Sequence, residues 1–237
     1  MMHLNLAGGT AGELTILCLG SHADDIEIGC GGTILRLAEQ YPHCKLHWVV
    51  FSAVGVRKSE AQRAAELFAG RSQLQGPILQ SFQDGFMPFV GAEIKKVFEE
   101  LKTVSPDLIF THNRRDAHQD HRLIGELTWN TFRDHWILEY EIPKYDGDMG
   151  QPNVFIPLET GHYQAKTRYI MDAFQSQHAK RWFREDTLLS LMRLRGMECN
   201  APSGYAEAFY SSKLVLRVGT TGDTVSSEGN NPHASPR

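Results

Sequence analysis

Short apolar runs alternate with stretches of helical periodicity over the first 130 residues. Leu14-Thr-Ile-Leu-Cys-Leu19 and Leu46-His-Trp-Val-Val-Phe51 have strand length and the near-continuous hydrophobicity of strands covered on both faces. Ile78–Phe82 and Asp107–Thr111 read as a third and a fourth strand. Between them, Gly29-Cys-Gly-Gly32 opens a helix that runs to Gln40 and is closed by Pro42. A second helix spans Arg57 to Ala69, with Ala61, Ala64, Ala65 and Phe68 on one face and Gly70 as its stop. Glu93–Lys102 carries Ile94, Val97, Phe98 and Leu101 at helical spacing, and a further helix starts near Gln119 and continues through Leu123, Leu127 and Phe132. Strands alternating with helices across short connections predict an α/β fold with a mainly parallel sheet.

From residue 135 the pattern changes. The stretch 139–157 is rich in turn residues and reads as an excursion of strand and loop near the mouth of any site. Helical segments follow over 163–177 and 185–197, and Ser203–Phe209 leads into a late strand, Lys213-Leu-Val-Leu-Arg217. From Gly219 onward polar and turn residues dominate, the composition of a disordered tail. The expected organisation is a single domain over 1–218 and a tail over 219–237.

Composition narrows the partners. Subtracting 24 Lys+Arg from 28 Asp+Glu gives a net charge of −4, of the wrong sign for a nucleic-acid-binding face. No apolar run approaches the roughly 20 residues that span a bilayer, and the first residues lack a signal-peptide core. The four cysteines have no CxxC spacing and suit a reducing, cytoplasmic setting. Cys30 lies near the chemistry described next, but packing at a helix start explains it. A homo-oligomer is left open.

The chemistry sits at two strand ends. Ser-His-Ala-Asp-Asp-Ile-Glu (21–27) follows the first strand, and Asp116-Ala-His-Gln-Asp-His-Arg122 follows the fourth. In parallel sheets ligands bind beyond the carboxyl ends of the strands, so both clusters reach one edge. Histidine nitrogen and carboxylate oxygen are the donors a catalytic zinc takes while leaving a position open. His22 and Asp25, three apart, reach one ion together. Asp24 points elsewhere and is placed to take a proton. One histidine from His118 and His121 completes the set. A lone His-x-Asp-Asp reads more readily as a capped helix start than as a metal site; two clusters at equivalent strand ends favour a metal centre. His43, His47, His112, His162 and His178 are assigned structural roles, with His112 at the end of the fourth strand closest to the pocket.

Ser-His-Ala-Asp-Asp-Ile-Glu-Ile-Gly-Cys-Gly-Gly (21–32) and 116–122 resemble the two signatures of the zinc-dependent de-N-acetylases (PIG-L/LmbE-like), the superfamily of the N-acetylglucosaminyl-phosphatidylinositol, mycothiol and bacillithiol deacetylases. Arg57-x-x-Glu60 and Tyr205–Phe209 are similar to further family segments, so the likeness runs from about residue 13 to 217. Ala23 and Gln119 replace two prolines of the usual motifs and remove no catalytic group. The resemblance implies a Rossmann-like three-layer fold and one zinc per chain on His22, Asp25 and His121. It implies Asp24 as general base, and His118, oriented by Asp120, as the group that stabilises or protonates the tetrahedral intermediate. Tyr205 is implied near the oxyanion and Arg57 near substrate. The expected reaction is removal of the N-acetyl group from an amino-sugar derivative on a nucleotide, lipid or secondary-metabolite carrier, with 139–157 helping to choose the carrier.

Three rivals stand beside this reading: a metal-dependent hydrolase of another amide or a phosphate ester, a sugar-binding relative without turnover, and a dinucleotide-binding oxidoreductase. The last lacks the GxGxxG spacing after its first strand. Manganese or iron also fits two histidines and a carboxylate.

Overall fold

β1 (Thr15–His22) is the strand about which the molecule is built, and its side chains alternate between two cores. Ile16 and Cys18 join one apolar cluster and Leu17 and Leu19 the other, which is why the run carries so little polarity before its end. The structure, a computed structural model, describes residues 14–215. β2 (Lys45–Ser52) and β5 (Leu108–His112) lie parallel to β1 on either side, with Lys45 opposite Thr15 and Leu108 opposite Ile16. β6 (Trp136–Tyr140) continues the parallel set beside β5. Two antiparallel strands, β8 (Ala206–Tyr210) and β7 (Val154–Pro157), close that side. On the other side β3 (Gln73–Leu74) and β4 (Ile78–Leu79) both pair with β2.

Helices α1 (Asp25–Gln40), α2 (Val56–Ala69), α5 (Thr160–Ala173) and α6 (Glu185–Glu198) cover one face of the sheet. α3 (Gly91–Leu101) and α4 (Gln119–Thr131) cover the other. The expected three-layer α/β architecture with a mainly parallel sheet is what the chain adopts. Its strand order reverses at β1, since the chain leaves β1 for β2 on one side and returns as β5 on the other. Crevices of this kind, beyond the carboxyl ends of strands at a reversal of order, are where open α/β sheets bind ligands.

Four details differ from the sequence reading. α1 begins at Asp25, not Gly29. Its buried glycines serve close packing: a Cβ at Gly29 would enter the Tyr140 ring and one at Gly31 the Phe68 ring. The third strand shrinks to two residues of β4 plus a single bridge between Ser52 and Ser81. β6 is a central strand that polar Glu139 disguised; that side chain is buried, accepting hydrogen bonds from Arg114 Nε and the Trp129 indole at 2.8 and 2.5 Å. Finally, the late strand is 206–210; Leu214 and Val215 are exposed and irregular, and 216–217, like the expected tail, lies outside the described residues.

α4 lies hard against β5. A Cβ on Gly125 would stand 2.7 Å from the carbonyl oxygen of His112, closer than real Cβ atoms approach. Gly125→Ala is expected to destabilise the fold by about 1–3 kcal/mol, the usual range for overpacking, as read from urea unfolding midpoints.

Candidate active site

The last residue of β1, the first of α1 and the first turn of α4 bring the three sequence-predicted metal ligands together. His22 Nδ1 lies 3.3 Å from Asp25 Oδ2 and 3.2 Å from His121 Nε2, and His121 Nε2 lies 3.5 Å from the same Asp25 oxygen. Two donors each about 2.0–2.1 Å from a shared tetrahedral zinc are about 3.4 Å apart, so this triangle has the dimensions such an ion requires. Burial pushes the Asp25 carboxyl upward, but His121, His112 and His22 outweigh it and hold the group well below the usual carboxylate range. It is therefore an anion, the form that ligates.

Each histidine of the triangle is gripped from behind by carboxylate. His121 Nδ1 is 3.0 Å from Asp116 Oδ2, and His22 Nε2 is 3.0 Å from Asp84 Oδ1 and 3.3 Å from Asp120 Oδ2. Carboxylates at the far nitrogen fix the tautomer and orientation of a metal-binding imidazole. These anchors are themselves held. Asp120 accepts from the amides of Gly85 and Met87 at 2.7 and 3.2 Å. Asp116 accepts from the His118 amide at 2.8 Å and meets Lys144 Nζ at 3.0 Å. Asp116→Asn is expected to weaken zinc binding about 10–100-fold with the fold retained, measured by competition against a chromophoric chelator.

This places Asp120 differently from the sequence expectation. Its carboxylate faces His22 and the 85–87 turn. Its link to His118 runs through its backbone, whose N–H donates to His118 Nδ1 at 3.2 Å and caps α4. Neutral His118 therefore carries its proton on Nε2, as a hydrogen-bond donor. Burial, with His121 and His22 adding to it, lowers the His118 pKa and keeps that neutral form. His118 is suited to stabilising an oxyanion rather than to releasing a proton.

Asp24 stands at the N-cap of α1 yet makes no side-chain cap hydrogen bond, so helix capping does not explain it. Its Oδ1 is 2.7 Å from Arg57 Nη2 instead. Burial raises the Asp24 carboxyl above its ordinary range; Arg57 opposes the rise and Asp25 adds to it. A raised carboxylate is a better proton acceptor. Arg57 is fastened in turn. Its Nη1 meets Glu60 Oε2 at 3.1 Å, its guanidinium lies 5.1 Å from the Phe174 ring centre, and Glu60 accepts from the Ser176 amide and hydroxyl at 2.8 and 2.7 Å. Arg57 is thus committed to Asp24 and is not free to reach outward.

Tyr205 is not brought to the cluster. Its ring stacks on Tyr163 with centroids 3.9 Å apart and lies under Arg193, among α5 and α6. Cys30 is buried packing, donating to Ile26 O. Among the other histidines, His112 lies closest: its Nε2 accepts from the Ser21 amide at 2.9 Å and sits 3.1 Å from Asp25 Oδ2. His162 pairs with Glu39, and His178 contacts the Met171 carbonyl. Sequence reasoning left two contributors unassigned. Asp116 lay inside the second motif, whereas Asp84 read as a turn residue with no local sign of its reach to His22. Beside the Asp116–Lys144 pair opens a cavity of about 360 Å³, lined also by Asn113, Arg115, Asp148 and Tyr210. The segment after β6 supplies much of its wall.

Residues 17–132 match the sequence model of the PIG-L family, GlcNAc-PI de-N-acetylase. That stretch, just under half of the chain, is similar to the PIG-L family. The segment spans β1 through α4 and holds every residue of the triangle with Asp24, Arg57, Asp116, His118 and Asp120. Solved structures share the fold over most of the chain. N,N'-diacetylchitobiose deacetylase from Pyrococcus horikoshii superposes with a TM-score of 0.65 at 20% identity, over 83% of each chain. The A40926 pseudoaglycone deacetylase Dbv21 gives 0.63 at 13%, over 83% of this chain and 96% of that one. GalB, a 4-carboxy-2-hydroxymuconate hydratase from Pseudomonas putida KT2440, gives 0.70 at 17%, over 87% and 99%. Likeness at these identities establishes the fold, and a hydratase among the neighbours means that the PIG-L fold alone does not choose the reaction. Among the described residues no helix is long and apolar enough to cross a membrane.

Proposed function

We propose that this protein is a zinc-dependent N-deacetylase of amino-sugar derivatives. The observation that carries the reading is the division of labour at the cluster. Three donors close a triangle of zinc dimensions, and each of its imidazoles is backed by carboxylate. A separate carboxylate, Asp24, is held off that triangle by Arg57. Pure sugar binding requires neither a separate base nor an oxyanion donor.

His22, Asp25 and His121 would hold the metal. A zinc ion there supplies Lewis acidity, polarising a carbonyl oxygen and making water acidic enough to ionise near neutral pH. Asp24 takes the proton from the attacking water as its oxygen bonds to the acetyl carbon. His118 Nε2–H donates to the carbonyl oxygen as negative charge gathers there. The C–N bond then breaks, and the proton held by Asp24 passes to the departing amine. Acetate and the free amino sugar leave.

The family description and the names of two neighbours, deacetylases of N,N'-diacetylchitobiose and of the A40926 pseudoaglycone, support an acetylated amino sugar as substrate. The 360 Å³ cavity lies in the size range of small-molecule pockets, and its mixed donors and acceptors suit hydroxyl groups. The test is an acetate-release screen with zinc-loaded protein over N-acetylglucosamine derivatives, run beside phosphate release from sugar phosphates. Acetate without phosphate is the expected result; phosphate without acetate would replace this reading with that of a phosphoesterase.

A further inference from the structure

One carboxylate oxygen joins the metal cluster to the loop that follows β6. Asp116 Oδ2 stands 3.0 Å from His121 Nδ1 and also 3.0 Å from Lys144 Nζ. The same ammonium lies 2.8 and 2.6 Å from Asp148 Oδ1 and Oδ2, and 3.5 Å from the Ile142 carbonyl oxygen. The Lys144 side chain is 12% exposed, and those of Asp116 and Asp148 are 4% and 14%. Charges so enclosed are screened little by solvent or salt. Imidazole, carboxylate, ammonium and carboxylate thus form one chain from His121 outward.

Holding the loop in place does not account for this lysine. Arg195 already fastens both ends of the loop: its Nε and Nη2 donate to Glu141 at 2.8 and 2.6 Å, and Nη2 donates to the Gly150 carbonyl at 3.1 Å. Tyr210 adds a hydrogen bond to Glu141 at 3.1 Å, and Asp148 accepts from the Ala117 amide at 2.7 Å. Lys144 alone among these groups places positive charge on the oxygen that backs a metal-binding imidazole. A carboxylate at that nitrogen raises the basicity of the ligand. A cation on the same oxygen draws that density away, and its field opposes a second cation arriving at the cluster. Both effects have one sign: they weaken the hold on zinc and leave the ion more electron-poor.

We infer that Lys144 is a positioning residue that tunes the metal centre through Asp116 and His121, lowering zinc affinity and leaving the ion a stronger Lewis acid. This rests on the metal assignment within the deacetylase reading. The test is competition for zinc between the metal-stripped full-length protein and a chromophoric chelator, which needs no turnover. Lys144→Met keeps the apolar stem and loses the charge. It is expected to bind zinc about tenfold more tightly than wild type, the low end of what outer partners of a ligand are worth and opposite in sign to Asp116→Asn. At full zinc occupancy its kcat is expected to fall, because the ion polarises a carbonyl less. Asp148→Asn keeps an acceptor for the Ala117 amide but leaves the ammonium to Asp116, and is expected to weaken zinc binding about threefold. Opposite shifts mark an effect of charge. A lysine that only anchored the loop would give shifts of one sign, since either substitution loosens the Lys144–Asp148 pair. Lys144→Gln, neutral yet able to donate a hydrogen bond, is expected to tighten zinc binding as well, and it keeps the test open if methionine unfolds the protein. Unchanged or weaker zinc binding by the neutral variants would overturn the inference, as would unchanged or tighter binding by Asp148→Asn. The expected zinc shifts without acetate release from the wild type would uphold the role of Lys144 and remove the deacetylase reading instead.

Discussion

Asp24→Asn is expected to lower kcat by about 10²–10⁴-fold, the usual contribution of a positioned general base, while leaving the bound zinc unchanged. Asparagine keeps the shape of the side chain and loses its ability to take a proton. The metal is expected to stay because Asp24 lies outside the His22–Asp25–His121 triangle and is directed to Arg57. Folding is expected to survive as well. Arg57 keeps Glu60 and the Phe174 ring, and the exchange removes a carboxylate whose burial already disfavours its charge. Acetate release, elemental zinc analysis and circular dichroism of the same preparation provide the check. A variant retaining more than about a tenth of wild-type kcat would take Asp24 out of the reaction.

His121→Ala is expected to act on the other arm of the site. One ligand is removed, and bound zinc falls from about one per chain to a small fraction of that, taking activity with it. Wild-type protein stripped by a chelator should recover on adding one equivalent of zinc, and the variant should not. Stability provides a second readout, because a ligand that binds only the folded state stabilises it by RT ln(1 + [L]/Kd), about 4 kcal/mol at a thousandfold excess over Kd. Wild-type Tm should therefore rise with added zinc while the variant's stays flat. Part of the variant's loss in stability will also appear without metal, since His121 is one of the imidazoles that compensate the buried charge of Asp25 and it holds Asp116 from the other side. An unchanged zinc content would show that another donor, such as His118 or His112, occupies the position given to His121.

Much of the site was legible because it is local. His22, Asp24 and Asp25 sit within four residues of one another, and His118–His121 likewise, each at the end of an apolar run that announces a buried parallel strand. What escaped detection was assembled across the chain. Asp84 belongs to a turn that meets Asp120 and His22 only after β4 has docked on β2, and no periodicity marks that approach. Tyr205 went the other way: a motif resemblance placed it near the chemistry, but its ring packs on Tyr163. In the fold, β6 was obscured because buried Glu139 breaks an otherwise apolar run, and residues 213–215 were overread as part of a strand because hydrophobicity alone does not supply a strand with a free neighbour. Strand pairing decides such cases, and pairing is a property of the assembled sheet.

The clasp on Asp24 extends well past the family segment. Arg57 and Glu60 lie within residues 17–132, but the hydroxyl and amide that steady Glu60 belong to Ser176, in the single helical turn between α5 and α6. A chain cut after Phe132 would keep all its metal donors and its base, yet lose the Phe174 ring beside the guanidinium and the Ser176 groups that hold Glu60. The carboxy-terminal half is in this sense a splint for chemistry encoded by the amino-terminal half, and divergence around Ser176 offers a way to retune the enzyme without altering either signature motif.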